Sequence, residues 1–321
     1  MGRRLPWPAS ALRDRLHSLA SAVGDTRAHV VAGREEARQR LEAIEARLER
    51  LEEAVAAIPP PPPAVDEARL LDAIRLAVDD EPRARAALWA ARSAPEYAAA
   101  YDEEEPLVSV VIPTWLNHEL LCARSLPSVL GQTYERLEVI VVGDGAPDEA
   151  REAVEAVGDP RVRFHNLPMR GPYPDDPTRR WQVSGVPPYN EGVRLAGGRW
   201  IASQDDDDVW YPDHVERLLA LARERRAELV YGRLRVCGEP REKESIGTFP
   251  PRMGEFGMQG AMYHASLAPI FECEIGDGVW NEPTDWAWCR RMMRAGVRVA
   301  MLDAEVVDYY PSRGRDDSSS A

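Results

Sequence analysis

Lysine is almost missing from this 321-residue chain: of its 40 basic residues only Lys243 is not an arginine. The skew matches a genome-composition bias, and no function is read from it. Cysteine is scarce as well. Cys122, Cys237, Cys273 and Cys289 are scattered and form no C-x-x-C pair. That excludes a disulfide framework or a zinc ribbon and leaves four reduced thiols. No apolar run approaches the roughly 20 residues of a membrane span, and the N-terminus lacks the apolar core of a secretory signal. Positive charge is outweighed, 40 Lys and Arg against 54 Asp and Glu, for a formal net charge of −14. Nucleic acid is therefore not an expected partner. These absences describe a soluble, cytoplasmic protein with length for one large domain or two modest ones.

What is present changes character near residue 105. Residues 1–105 are rich in Ala, Arg and Glu and contain no convincing strand. Leu41, Ile44, Leu48, Leu51, Val55 and Ile58 recur at alternating spacings of three and four, an a/d seam within about residues 34–58. A short coiled coil joining two copies and a helix packed on its own domain give the same stripe, and both stay open. Pro59 to Pro63 stop the helix and form a stiff linker. A second helical stretch is expected over 65–92. The acidic run at 102–105 then marks the start of a domain spanning 106–311, followed by a disordered tail at 312–321. Near the N-terminus, Leu12, Leu16, Leu19 and Val23 share an apolar face beside Arg3, Arg4, Arg13 and Arg15. An ordinary amphipathic helix accounts for this; peripheral contact with the inner membrane face is the alternative.

From Leu107 onward strands and helices alternate. The continuous apolar run LVSVVI at 107–112 suits a strand buried on both faces. Further strands are expected at 137–142, 161–165, 199–203, 229–236 and 297–302. Helices are expected at 118–130, 147–157, from near Asn190, at 212–226 and at 284–295. A Pro-rich loop spans 168–188 and a Gly-rich stretch 254–260. Such alternation predicts an α/β sheet with right-handed crossovers.

Asp205 to Asp208 follow the strand at 199–203, and Pro212 stands where a first helical residue belongs. Four adjacent carboxylates suit a solvated acidic loop. At a strand's carboxyl end, where α/β sheets place ligands, they equally suit Mg²⁺ or Mn²⁺ on a diphosphate. Two further features lie at such ends: Pro113-Thr114-Trp115 after the first strand and Asp144 after the second. An aromatic can stack on a base, and a carboxylate can accept its N–H groups. The three describe a nucleotide-diphosphate site.

Two longer stretches carry a family resemblance. VSVVIPTW…LPSVLGQTY…LEVIVVGDGAPD and YNEGVRLAGGRWIASQDDDDVWYPDHVERLL resemble, in order, the motifs of family-2 glycosyltransferases of the GT-A fold. The likeness covers about residues 107–311. It implies a mixed α/β sheet with flanking helices and transfer of a sugar from a nucleotide-sugar donor. It also implies that Pro113, Thr114 and Trp115 line the base and ribose pocket, that Asp144 contacts the base, and that Asn190 shapes the donor pocket. Asp205 and Asp207 become the outer members of a D-x-D metal motif, with Asp206 touching the ribose or ordering the loop. Asp285, in Pro283-Thr284-Asp285-Trp286, takes the position of the catalytic base. Thr284 reads as a helix N-cap, so Asp285 falls in the first turn, where the dipole favours its anion.

The chain departs from the family pattern in places. Gly143 replaces the first Asp of D-D-G, and Tyr189 stands where many members have Arg. Arg179 or Arg180 is the expected substitute cation for the diphosphate. The Q-x-x-R-W motif of processive members is missing, which favours single-sugar transfer. The acceptor is a glycan, a lipid-linked sugar or a protein. Of the other histidines and tryptophans, His264, Trp210, Trp286 and Trp288 are candidates for sugar contact or for the core. Two alternatives remain. A sugar-nucleotide pyrophosphorylase would need a Gly-rich basic loop after the first strand, which Pro113-Thr114-Trp115-Leu116 does not offer. An inactive scaffold assembled through the coiled coil would have no reason to keep the acidic residues together.

Overall fold

A computed structural model of the protein describes residues 80–238 and 243–311, with residues 14, 18, 46–50, 70 and 74 of the preceding region. Residues 46–50 are helical; the rest of the heptad stripe, the polyproline linker and residues 312–321 lie outside the described residues. The chain divides into two compact units, Met1–Asp80 and Glu81–Ala321, and the second holds the sheet.

Two helices, α1 (Glu81–Arg92) and α2 (Pro95–Asp102), open the second unit. The sheet follows: β1 (Val108–Thr114), β2 (Leu137–Gly143), β3 (Val162–Asn166), β4 (Trp200–Ser203), β5 (Val209–Trp210), β6 (Leu229–Val236), β7 (Ser245–Ile246), β8 (Ala261–His264) and β9 (Val299–Tyr309). Between strands run α3 (118–130), α4 (Asp148–Glu155), α5 (Pro177–Val183), α6 (Val186–Leu195), α7 (His214–Arg225) and α8 (Thr284–Ala295). The strand order is β3-β2-β1-β4-β8-β6-β9-β5, with β7 beside β6. β1 pairs in parallel with β2 and β4, and β2 with β3. β8 runs antiparallel to both β4 and β6, which makes the sheet mixed.

Alternate residues of β1 enter different cores. Val108, Val110 and Ile112 join Val139 and Val141 on one face. Val111 joins Ile201, Leu229 and Trp288 on the other. Both faces are covered, so the run is apolar without alternation. Two glycines bring the helical layer and the neighbouring loop close to β1. A Cβ on Gly192 of α6 would stand 2.4 Å from Val111 Cγ1, and one on Gly198 would stand 2.7 Å from Leu107 O. The N-x-G and G-G spacing in the sequence thus serves close packing against the strand that carries the site.

The expected domain boundary near 105 is corrected. α1 and α2 belong to the sheet-bearing unit and are fixed to it by polar contacts. Glu228, fully buried, accepts from Arg92 Nε at 2.6 Å and Nη2 at 2.7 Å, from the Tyr97 hydroxyl, and from the Arg298 backbone N–H at 2.7 Å. Trp200 Nε1 donates to Ala100 O, 2.9 Å. Arg85 and Arg92 donate to the carbonyls of Arg294 and Gly296, at the C-terminal end of α8, where cations are favoured. These partners are distant in sequence, and local composition therefore hid them. Glu228→Ala should destabilise the protein by about 3 kcal/mol, because Arg92 is left without its carboxylate. Denaturant unfolding checks this, and an unchanged midpoint would separate α1–α2 from the sheet domain.

Candidate active site

β1, β2 and β4 deliver their loops to one edge of the sheet. The Asp144 N–H donates to Thr114 O, 2.8 Å, tying the end of β2 to the end of β1. Gln204 N–H donates to Val111 O, which carries the β4 backbone on towards the aspartates.

The aspartate turn is held from three sides. From β1, Thr114 Oγ1 donates to Asp206 Oδ2 at 2.7 Å, and Asn117 Nδ2 to Asp206 Oδ1 at 3.0 Å. From α3, Ser125 Oγ donates to Asp205 O at 2.7 Å. Ser125 closes a π-helical turn, Leu121–Ser125, in the middle of α3, a distortion often found at functional sites. From beyond β9, the Tyr310 N–H donates to Asp208 Oδ1 at 2.7 Å, while the Arg124 guanidinium lies 4.0 Å over the Tyr310 ring. Asp206 and Asp208 therefore anchor the turn.

Crowding shows in the acidities. Burial raises Asp205 well above the usual carboxylate range, and the charges of Asp208, Asp207, Asp206 and Asp285 raise it further. Asp208 is also raised, by burial and by Asp207, against the Tyr310 N–H and Arg124. The Gln259 side chain, also hydrogen-bonded to it, lowers it in turn. No three His, Cys, Asp or Glu side chains form a metal cage among the described residues. Mg²⁺ and Mn²⁺ do not need one beside a diphosphate: one or two carboxylates with phosphate oxygens complete their shell. A turn whose carboxylates repel fits such a cation.

At the opposite end, Asp144 is 4% exposed. Its Oδ1 accepts from the Gly171 N–H at 2.9 Å and its Oδ2 from the Tyr173 hydroxyl at 2.6 Å. Burial raises its pKa; the two donors and Arg170 oppose that. The Arg170 guanidinium lies 3.3 Å from the Trp115 ring centroid. Arg179 and Arg180, either of them the expected cation, both lie on α5, where Arg179 is exposed and Arg180 Nη2 donates to Asp175 O at 3.0 Å. That helix is itself a correction to the expected loop at 168–188: Asp176 caps it by accepting the Arg179 N–H at 2.9 Å, and Pro177 opens it. Arg170 is the arginine beside Trp115. Sequence reasoning missed it because a single arginine in a loop carries no periodicity or motif.

The missing aspartate at 143 has a local cause. A Cβ on Gly143 would stand 2.3 Å from Asn166 Oδ1. Asn166 fills that space and exchanges hydrogen bonds with both the N–H and the carbonyl of Ala146, at 3.0 and 2.8 Å. The turn is thus bridged by an amide from β3.

Asp285 falls in the first turn of α8, but Thr284 is not its cap. Pro283 holds the cap position, Thr284 is the first helical residue, and its hydroxyl donates to Asp277 Oδ2 at 3.1 Å. Asp285 Oδ1 accepts the Trp286 N–H at 2.6 Å. Burial pushes its pKa up to about 6. The residue keeps partial solvent contact while lying deep among protein atoms. Its charge acts on Asp205 and on Tyr309. The Tyr309 hydroxyl, raised first by burial, feels Asp205, Asp208, Asp285 and Asp207 together. Tyr309 also escaped the sequence reading, since β9 was expected to end near residue 302 and continues to Tyr309.

Other candidates have partners inside the fold. Asn190 sits inside α6, which begins at Val186 rather than near Asn190, and clasps the Cys273 backbone through Nδ2 at 2.8 Å and Oδ1 at 3.2 Å. Tyr189 meets the Tyr263 hydroxyl at 3.1 Å in the core. His264 is buried against Tyr97, and Trp210 and Trp288 are core side chains, so none of these three stacks on a sugar. Trp286 stays half-buried.

A model described as glycosyl transferase family 2 matches residues 109–173 and 187–273. The chain belongs to this family. Its two matched blocks flank residues 174–186, the segment that forms α5, and stop before Asp285. WcaA, a colanic acid biosynthesis glycosyl transferase of Escherichia coli (strain K12), is 32% identical over 37% of this chain and 38% of its own length. WfgD of Escherichia coli, a UDP-Glc:alpha-D-GlcNAc-diphosphoundecaprenol beta-1,3-glucosyltransferase, is 26% identical over 41% of this chain and 47% of its own. The family-2 chain thus spans less than half the length of these relatives. Among solved structures, S. aureus TarS 1-349 in complex with UDP is similar over 64% of this chain and 61% of that one, with a TM-score of 0.49 and 17% identity. The mannosyltransferase PcManGT from Pyrobaculum calidifontis, in complex with GDP-Man and Mn²⁺, covers 76% of this chain and 70% of that one, with a TM-score of 0.47 and 19% identity.

Proposed function

We propose that this family-2 chain transfers a single sugar from a uridine-diphosphate donor to an acceptor hydroxyl, with inversion at the anomeric carbon and dependence on Mn²⁺ or Mg²⁺. The observation that carries this reading is the Thr114–Asp206 bond. It ties the strand that leads to Trp115 to the aspartate turn, within electrostatic reach of Asp285. Trp115 offers a face for the base, with Arg170 beside it, and Asp144 offers acceptors for its N–H groups. Asp205 and Asp207 would hold the cation, which supplies charge neutralisation for the departing diphosphate. Asp285 takes the acceptor O–H proton as that oxygen bonds to the anomeric carbon. The bond from that carbon to the diphosphate oxygen breaks, and its electron pair leaves with the nucleotide.

Uracil is the base proposed because WfgD is named for UDP-glucose; the Asp144 carboxylate is chemically able to accept a base N–H. By the same relative, a lipid-linked sugar is the first acceptor to try, with soluble glycans and proteins beside it. No helix among the described residues is long and apolar enough to cross a membrane. Peripheral contact with the cytoplasmic face is the proposed route to such an acceptor.

Calorimetry with UDP, GDP and dTDP, with and without Mn²⁺, tests the reading. UDP should bind at least about tenfold more tightly with the metal, a difference of about 1.4 kcal/mol. Failure of every nucleotide to bind would favour the scaffold alternative.

A further inference from the structure

Asp277 and Arg291 form a buried ion pair that the chemistry above does not use. They are 3% and 9% exposed, with Arg291 Nη1 2.7 Å from Asp277 Oδ1. Buried pairs seldom add stability over an apolar pair of similar volume, so their placement calls for another explanation. Both oxygens of Asp277 serve α8. Oδ1 accepts from Arg291, about two turns along that helix. Oδ2 accepts from the hydroxyl of Thr284, the helix's first residue and the neighbour of Asp285.

Asp277 is itself anchored beside α5 and α6. Asp277 lies in the short turn Ile275–Trp280, which meets α5 so closely that a Cβ on Gly278 would stand 3.1 Å from Arg179 O. Arg291 Nη2 donates to Glu272 O at 2.8 Å, and the adjoining Cys273 backbone is clasped by Asn190 of α6. Pro283, at the cap position of α8, has no side chain that could accept from the first turn. The hydroxyl next to Asp285 is therefore fastened from outside the helix.

We propose that Asp277, held by Arg291, is a positioning residue for glycosyl transfer: through Thr284 it sets the first turn of α8 and with it the direction of the Asp285 carboxylate. The inference rests on Asp285 acting as the base. A hydroxyl-directed tether of this kind matters because small misplacements of a reacting group cost rate far more than they cost binding.

The test uses the full chain with Mn²⁺ and measures nucleotide release from UDP-glucose, UDP-GlcNAc and GDP-mannose, with water as acceptor. Thr284→Val keeps the shape and removes the hydroxyl. It should lower kcat about tenfold while leaving the donor KM within about twofold. Thr284→Ser should restore kcat, and Asp277→Asn should match Thr284→Val. A Thr284→Val enzyme with the parent's kcat overturns the proposal, as does a Thr284→Ser enzyme equally impaired. Should Asp277→Asn fail to fold, the Thr284 pair still decides. Asp285→Asn is the control. If it keeps full activity, the base assignment fails and this inference with it. If it is inactive while Thr284→Val is normal, only the positioning role fails. No release by the wild type from any donor would overturn both.

Discussion

The Asp285→Asn enzyme should turn over about 10³-fold more slowly than the parent, with donor affinity unchanged. The substitution keeps shape and removes the proton acceptor. The proposed donor contacts lie elsewhere, on Trp115, Asp144 and the aspartate turn, so binding should not follow the rate. The pH profile gives a second reading of the same group. Burial raises Asp285 to about 6, from the usual aspartate value near 4. As a base it works ionised, so activity should hold above about pH 6 and fall as pH drops through that value. A cation in the aspartate turn favours the anion, so the limb measured in Mn²⁺ should lie at or below about pH 6. A rate unchanged in Asp285→Asn, or a rate in Mn²⁺ with no acid limb, would place the base elsewhere.

The legible parts of this protein were those written in short local patterns. The run at 107–112, the run at 137–142 and the helix at 284–295 declared themselves, because a strand buried on both faces is continuously apolar and an amphipathic helix is periodic. The aspartates after β4 were visible as a cluster tethered to such a strand. The missed features depend on partners far along the chain. β8 is four residues long, too short for any period, yet its antiparallel insertion makes the sheet mixed. α1 and α2 were assigned to the wrong side of a boundary because their anchor, Glu228, lies more than a hundred residues away. Thr284 looked like a cap, since its chemistry suits one. Pro283 took that position, and the hydroxyl turned to Asp277. The family motif set Asp205 and Asp207 apart as the outer members of D-x-D; what it did not show is that Thr114, Asn117 and the Tyr310 N–H fasten Asp206 and Asp208.

That separation leads to the second large effect. Asp207→Ala should abolish metal-dependent binding of UDP, weakening it by about 100-fold in Mn²⁺, because one of two proposed carboxylate ligands is lost. Asp205→Asn should do the same and, without metal, should also raise the melting temperature. The physical reason is that the native turn compresses carboxylates that the unfolded chain keeps apart. Asp205 and Asp208 both have folded-state values raised above their unfolded ones. A raised carboxylate binds its proton more tightly in the native state. Its destabilisation is therefore full at pH above the folded value and is relieved as pH falls towards the unfolded value near 4. Metal-free protein should thus gain stability as pH drops from about 8 to about 5. Below that the gain should reverse, because Glu228 and Glu255 have lowered values and their contribution is lost on protonation. Removing one charge at Asp205 should recover about 1 kcal/mol, or about 3 °C, in metal-free protein. Mn²⁺ should raise the parent's melting temperature more than that of Asp205→Asn, since the parent has one more carboxylate whose repulsion a cation neutralises. If Asp205→Asn instead lowers stability with and without metal, the carboxylate belongs to the scaffold of the turn, and the cation must be held by other groups.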